Sequence, residues 1–353
     1  MTQRHIAYLA CAAAVMASAL AAAPPVDGRT HRVSPGESIQ KAVDAAKPGD
    51  TIVLSPGTYR ESVRITTSRL TLRGTDARRT VITPSKKAGT NACAKAGSGV
   101  CVTGTAAHPV ENVTVRSLTL RGFAMDGLWA SRTDRLRVEG VTAEKNGRWG
   151  IAQERSVRGV FRHDIAEKNG DAGLFMANTV DSEAGATDSK RAVISHNRLL
   201  GNRIGVTVRR LRNLTVADNE AVGNCAGVFV VGDESKPRAG ALTVRDNYVH
   251  ENNKYCAKTP RLPFLQGVGI VLTGTEDSLV TRNRVEGNVG KSPLSGGIVL
   301  FKSFVGAPNQ GNEIRDNVVR RNSTADVADR DTSGRNNTFR GNQCAVSEPA
   351  GMC

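Results

Sequence analysis

Aromatic side chains are scarce in this chain, with Phe, Tyr and Trp together at 4% of the residues. The 36 glycines suit many small turns better than one large globular core. No Cys-x-x-Cys pair and no His-rich cluster occurs, so nothing supports a metal site of those kinds. The apolar run from Ile6 to Leu20 is too short for a comfortable membrane span. Acidic residues are the minority charge, 33 Asp plus Glu against 48 Lys plus Arg, for a formal net charge of +15. That excess favours anionic partners such as acidic polysaccharide, nucleic acid or an anionic surface. Nucleic acid is set aside, because the chain reads as exported and carries no known binding module.

Export is read from the first residues. Arg4 precedes the apolar run, and Ala19-Leu20-Ala21 and Ala21-Ala22-Ala23 follow as small-residue cleavage sites. This is the layout of a secretory signal over residues 1–23. Too little apolar sequence precedes Cys11 for lipid attachment. The mature chain is therefore expected to be secreted and extracellular, with no stable membrane anchor. Six cysteines remain after cleavage: Cys93, Cys101, Cys225, Cys256, Cys344 and Cys353. An even number in an exported chain favours disulfides. Proximity in sequence suggests 93 with 101, 225 with 256 and 344 with 353, although six cysteines allow fifteen connectivities.

What the chain does have is a repeat. Val193-Ile194-Ser195-His196-Asn197, Gly201-Asn202 and Gly205-Val206-Thr207-Val208 recur as Leu214-Thr215-Val216-Ala217-Asp218-Asn219, Gly223-Asn224 and Gly227-Val228-Phe229-Val230. The two asparagine pairs are each 22 residues apart. So short a period, with alternating strands and polar turns, marks a solenoid coil. One coil cannot bury its apolar face alone, so copies must stack. Asn146, Asn169, Asn202, Asn224, Asn252, Asn288 and Asn322 track the register. Asparagine tolerates left-handed backbone, and its amide can bond to the copies above and below, so these residues read as a structural ladder.

Near the mature start, Ile39, Ala42, Val43 and Ala46 recur at helical spacing and Pro48-Gly49 closes the helix. A strand at 50–54 and a turn at 55–59 follow. This stretch, SIQKAVDAAKPGDTIVLSPGTYRESVRI, resembles the first coil of the right-handed parallel β-helix proteins of the pectate-lyase-like superfamily, especially the nitrous-oxide-accessory and carbohydrate-binding type. In that family the helix plugs the open end of the solenoid. The resemblance implies an all-β fold, a single-stranded right-handed parallel β-helix over residues 33–343 with a short N-terminal capping helix. A C-terminal cap or tail would occupy residues 344–353.

Insertions at 179–190, 233–239, 253–267, 289–295 and 302–312 wall one strand of the coil from both sides, and such insertions commonly build a solenoid's binding face. On that strand Leu128, Ile151, Leu174, Val206, Val228, Ile270 and Ile298 should point inward, and the next residues outward. The outward column reads Trp129, Ala152, Phe175, Thr207, Phe229, Val271 and Val299, with Arg132, Arg155 and Arg209 beyond it. Rings that pack on sugar faces and guanidinium forks that grip carboxylates suit an acidic sugar chain. Trp129, Arg132, Arg155, Phe175, Arg209 and Phe229 are thus expected to contact substrate, with Asp126 and Asp171 near the same strand to bind hydroxyls.

A lyase or epimerase acting on uronates needs a group to neutralise the carboxylate and a base to take the neighbouring proton. Lys145, Arg148, His163 and Lys168 are the candidates for that work. The signatures of the well-known enzymes on this fold are missing: the Asn-Thr-Asp, Asp-Asp, Gly-His-Gly set of its glycoside hydrolases, the Asp-Pro-His-Asp of its epimerases, and the Trp-x-Asp-His of its common lyases. The function read from sequence is contact with an anionic polysaccharide, as a lyase- or epimerase-like enzyme or as a non-catalytic binding or scaffold protein. No cofactor is called for; Asp126 and Asp171, which could also help hold a cation, and the acidic run Asp326, Asp329 and Asp331 leave calcium open. The oligomeric state is not legible.

Overall fold

The computed structural model describes residues 28–353 apart from residue 88. The expected signal segment, 1–23, lies outside the described residues. Strands stack into three long sheets, all parallel. Sheet A has 12 strands, from Thr30–Val33 to Thr338–Arg340; sheet B has 10, from Gly57–Arg60 to Val318–Arg320. Sheet C has 11, from Val63–Ile65 to Ser347–Glu348. A regular coil lays one strand in each sheet in the order A, B, C. Arg137–Glu139, Thr142–Glu144 and Ile151–Glu154 pair in turn with Val160–Arg162, Ile165–Glu167 and Ala172–Ala177 of the next coil.

The alternation of strand side chains builds the core. The sheet C column Leu128, Ile151, Leu174, Val206, Val228, Ile270 and Ile298 points inward as expected and is buried. Val138, Phe161, Ile194 and Val216 meet it from sheet A, and Ala143, Ala166, Leu199 and Ala221 from sheet B. Burial of each full-sized aliphatic chain contributes roughly 1.5–3 kcal/mol.

Two asparagine ladders hold the corners. At the B-to-C corner Asn146 donates from Nδ2 to Asn169 Oδ1 (3.0 Å), and the series runs through Asn202, Asn224, Asn252 and Asn288 to Asn322, ending on Asp326. A glycine at the start of the sheet C strand in the preceding coil makes room for the amide. A Cβ on Gly150 would sit 2.8 Å from Asn169 Nδ2 and 2.6 Å from Gly173 O. A second ladder, at the A-to-B corner, runs Asn197, Asn219, Asn247, Asn283, Asn317, Asn342. Its first rung is a carboxylate, Asp164, whose backbone N–H donates to Asn197 Oδ1 (2.9 Å).

Both ends are closed. Helix α1 (Ile39–Ala45) buries Ile39 and Val43 on the core, and Glu61 accepts from the N–H of Ile39 (2.7 Å) at its start. A strand at Thr30–Val33 precedes this cap, so sheet A begins slightly before the expected boundary. At the other end the tail adds Ser347–Glu348 to sheet C and is clasped by Cys344–Cys353.

Candidate functional site

The outer face of sheet C is apolar. Its register aligns Arg64, Cys101, Trp129, Ala152, Phe175, Thr207, Phe229, Val271 and Val299 in one column. The residue before each glycine joins them outside the coil, so that Trp149, Ala172, Ile204, Ala226 and Val268 form a second hydrophobic cluster with that column. Insertion loops cover much of it. Leu265 and Leu294 are buried against this face, and Val180 and Leu262 pack at its edge. The Cys225–Cys256 disulfide ties the 253–267 loop to the coil, and Cys256 and Leu265 exchange two backbone hydrogen bonds of 2.9 Å. Arg210, buried, binds Glu183 and Asp233 (3.0 Å) and so joins the 179–190 and 233–239 loops.

Between the loops a cleft of about 430 Å³ remains open, within the usual range for small-ligand sites. Trp149, Phe175, Thr207 and Phe229 form its floor; Asp171, Arg209, Glu183, Asp233 and Arg261 bring charge to it. Phe304 and Val305, both about half exposed (50% and 53%), stand at the rim.

Burial is the main force on the charged groups here. It raises the Asp171 carboxyl above the ordinary aspartate value, against the opposing pull of the Trp149 indole N–H (3.0 Å to Oδ2) and the charges of Arg203 and Arg148. Arg209 is pulled down, by burial first and then by the neighbouring guanidiniums of Arg210 and Arg261. Arg203 is also lowered by burial; its Nη1 donates to Ala257 O (2.8 Å), while its Nη2 is buried with no partner. The Thr207 hydroxyl on the floor is likewise buried and unpartnered. The cleft therefore sets the weakly paired guanidinium of Arg209 beside a buried aromatic floor, with one carboxyl that keeps its proton to a higher pH than usual.

A family profile described as "Right handed beta helix region" matches residues 90–240. The chain has the right-handed parallel β-helix fold. A second profile, "Periplasmic copper-binding protein (NosD)", matches residues 176–350 of the β-helix. No curated protein matches it by sequence. Among solved structures it resembles the mannuronan C-5 epimerase A-module of Azotobacter vinelandii, at 16% identity over 90% of this chain and 93% of that one, TM-score 0.57. It also resembles the DFA-IIIase of Arthrobacter chlorophenolicus A6 in complex with GF2 (15%, 88% and 84%, TM-score 0.58). The alginate lyase of Paenibacillus sp. str. FPU-7 is similar as well (14%, 91% and 99%, TM-score 0.54). At these identities the likeness is one of fold.

The β-helix distributes the residues expected from sequence unevenly. Phe175, Arg209, Phe229 and Asp171 line the cleft. Phe229 is only 1% exposed, so it supports the floor from beneath the loops. Trp129 lies two rungs from Phe175, half-buried, stacked on Trp149 at 5.8 Å. Trp149, which the sequence reading passed over, is the centre of this face: it stacks on Phe175 at 4.0 Å and carries the Arg148 guanidinium 3.8 Å above its ring. Its position before Gly150, shared with the apolar Ile204 and Val268, was the available signal.

Other candidates are spent elsewhere. Arg148 makes a two-pronged bond to buried Asp126 (2.9 and 2.8 Å), which also accepts from the Trp149 N–H. Asp126 and Arg148 thus neutralise each other beside the indole, and neither lines the cleft. Arg155 donates to Thr179 Oγ1 (2.7 Å) and steadies the start of the 179–190 loop. Arg132 and Arg155 both end sheet C strands with left-handed backbone, at φ 52° and 47°. Lys145 and Lys168 occupy equivalent left-handed turn positions beside sheet B, φ 54° and 53°, and Lys168 pairs with Glu167. His163 stands at the A-to-B corner, its ring 5.1 Å from that of His196. The β-helix does not bring Lys145, His163 and Lys168 to the cleft, because the repeat puts them at other corners of the coil.

The acidic run near the C-terminal end also has structural duties. Asp326 terminates the first ladder and accepts from Ala345 and Val346, while Asp331 accepts from Asn309 and Ser333. The donors that a copper centre would need are committed elsewhere. All six cysteines among the described residues are in disulfides, 93–101, 225–256 and 344–353. His31 and His250 lie against Asp50 and Glu220. Among the described residues no group of three or more His, Cys, Asp or Glu side chains could hold a metal ion. The described residues do not fit a protein-held copper site.

Proposed function

We propose that this β-helix is an exported protein that holds a segment of acidic polysaccharide in the sheet C cleft. The observation that carries the reading is the pair Arg209 and Arg261 over an aromatic floor. Arg261 has no ion pair among the described residues, and Arg209 has only a 3.7 Å contact to the exposed Glu183. Arg261, without an ion pair, and Arg209, with only that long contact, suit a sugar carboxylate, while Phe304, half exposed at the rim above the buried Trp149–Phe175 stack, offers a ring face to the sugar. The similarity in fold to a mannuronan epimerase and an alginate lyase supports a uronate polymer. Three disulfides fit an oxidising compartment.

Asp171 is the group placed to move a proton, since it keeps one to higher pH and faces the cleft. The second reading, a binding protein without turnover, is favoured by the dispersal of Lys145, His163 and Lys168 away from that carboxyl. Purified mature protein incubated with a panel of uronate, sulfated and neutral polysaccharides separates these readings. Binding to uronate polymers should exceed binding to neutral ones and weaken with salt, because attraction between partly exposed charges is screened over roughly 8–10 Å. Ultraviolet absorbance reports unsaturated lyase products and NMR reports epimerised residues. Binding with neither product assigns the non-catalytic role, and equal binding of neutral polymers removes the acidic-ligand reading.

A further inference from the structure

A second cleft, of about 900 Å³, opens near the N-terminal cap. Lys41 of α1, Arg60 and Arg64 of the first sheet B and C strands, and Lys86 and Lys87 of the following loop all line it. All five side chains are exposed, and none makes an ion pair among the described residues. The two acids in the same lining are already engaged. Glu61 accepts from Ser38 Oγ (3.1 Å), Ile39 N (2.7 Å) and Gln40 N (3.2 Å), and Asp44 accepts from Gln40 Nε2 (2.8 Å). Elsewhere on the coil exposed arginines do find partners, as Arg198 does with Glu220 (2.8 Å) and Arg282 with Asp246 (2.9 Å). Five unpaired cations around one polar cleft mark an anion site.

Its place in the fold says which anion. Arg64 begins the outward sheet C column that continues through Cys101, Trp129, Ala152 and Phe175 to Thr207 on the floor of the central cleft. Five strand spacings separate Arg64 from Thr207, roughly 24 Å. Half-buried Trp129 lies between, and the same cleft reaches Phe123 and Ala124 at the start of that coil. Resting on the reading of the central cleft as an acidic-sugar site, we propose that this basic cleft is a second, remote subsite for the same polyanion. A long uronate chain would then run along the sheet C face and be gripped at both ends.

The consequence is an affinity that rises with ligand length, because the second contact becomes intramolecular once the chain can reach it. The probes are a uronate disaccharide and a uronate oligosaccharide long enough to span the distance, titrated into the mature protein by calorimetry. The tested variants are Lys41→Gln/Arg60→Gln/Arg64→Gln/Lys86→Gln/Lys87→Gln and Arg209→Gln/Arg261→Gln, with circular dichroism melts to verify folding. The long probe should bind the wild type at least about 10-fold more tightly than the disaccharide. The five-site variant should lose that gain and keep its disaccharide affinity. A length gain that survives in the five-site variant overturns the second subsite and leaves the central one standing. Long-probe binding that depends on the five cations but is indifferent to Arg209→Gln/Arg261→Gln keeps the N-terminal anion site and overturns the central reading. Absence of binding by either probe overturns both.

Discussion

Replacing Asp164 by Asn should make this protein more stable, and more so as pH rises. Each later rung of the A-to-B ladder from Asn197 to Asn317 is an asparagine whose Nδ2 donates at least twice; Asn197, for example, donates to Phe161 O (3.0 Å) and Asn219 Oδ1 (2.9 Å). Strand register puts Val138 O and Asn197 Oδ1 in the matching places around Asp164. Both are acceptors, and Asp164 Oδ2 is buried with no partner. Burial raises this carboxyl well above its ordinary 3.8, opposed by the hydrogen bond from Val141 N–H and assisted by Glu139. One retained proton can satisfy one acceptor, whereas an amide satisfies two, and each net hydrogen bond contributes about 1 kcal/mol. A gain of about 1–2 kcal/mol at neutral pH follows. The folded carboxyl binds its proton more tightly than the unfolded one, so its stabilising contribution is complete below pH 3.8 and is lost as pH rises through the folded value. The Asp164→Asn variant, with no proton to lose there, would show no such decline. Urea midpoints followed by circular dichroism from acid to neutral pH should show the variant's advantage widening. A less stable variant, or an advantage independent of pH, would refute the ladder argument.

Trp149→Ala should cost about 3–5 kcal/mol, the usual range for truncating a buried Trp, since it removes the ring between Trp129 and Phe175 and the donor to Asp171; thermal denaturation measures it. Trp129→Ala should cost less stability, being half-exposed, and weaken uronate binding by about 1–3 kcal/mol, the scale of a lost aromatic contact. A well-folded Trp129→Ala protein with unchanged affinity would show that the ring does not touch sugar. Alkylation of the native protein followed by mass spectrometry should modify none of the six mature cysteines, and labelling of Cys225 or Cys256 would contradict the anchoring of the 253–267 loop.

Features that repeat were legible in the residues; features made by single insertions were not. The inward column and the first asparagine ladder follow from alternation and a near-constant coil, and the structure keeps them in register. The second ladder was visible only as Asn197 and Asn219, because its first rung is Asp164. Outward residues were also correctly placed on one face, yet alternation cannot say what lies over them. Loop packing buries Phe229 and leaves Trp129 half-open. Arg261 reaches the cleft from a loop with no counterpart in other coils, and Arg203 acts across a coil on Asp171. Neither has a periodic signal. Lys145 and Lys168 did have one, but the period that aligns them also places them at a turn outside the cleft.

Hydrogen exchange of the mature protein, with and without a uronate oligosaccharide, tests the central claim most directly. Ligand in the sheet C cleft should slow exchange in the walls, residues 179–190, 233–239, 253–267 and 302–312, and Arg209→Gln/Arg261→Gln should remove that protection. Protection confined to the sheet A or sheet B faces, with these four loops unchanged, would contradict the account.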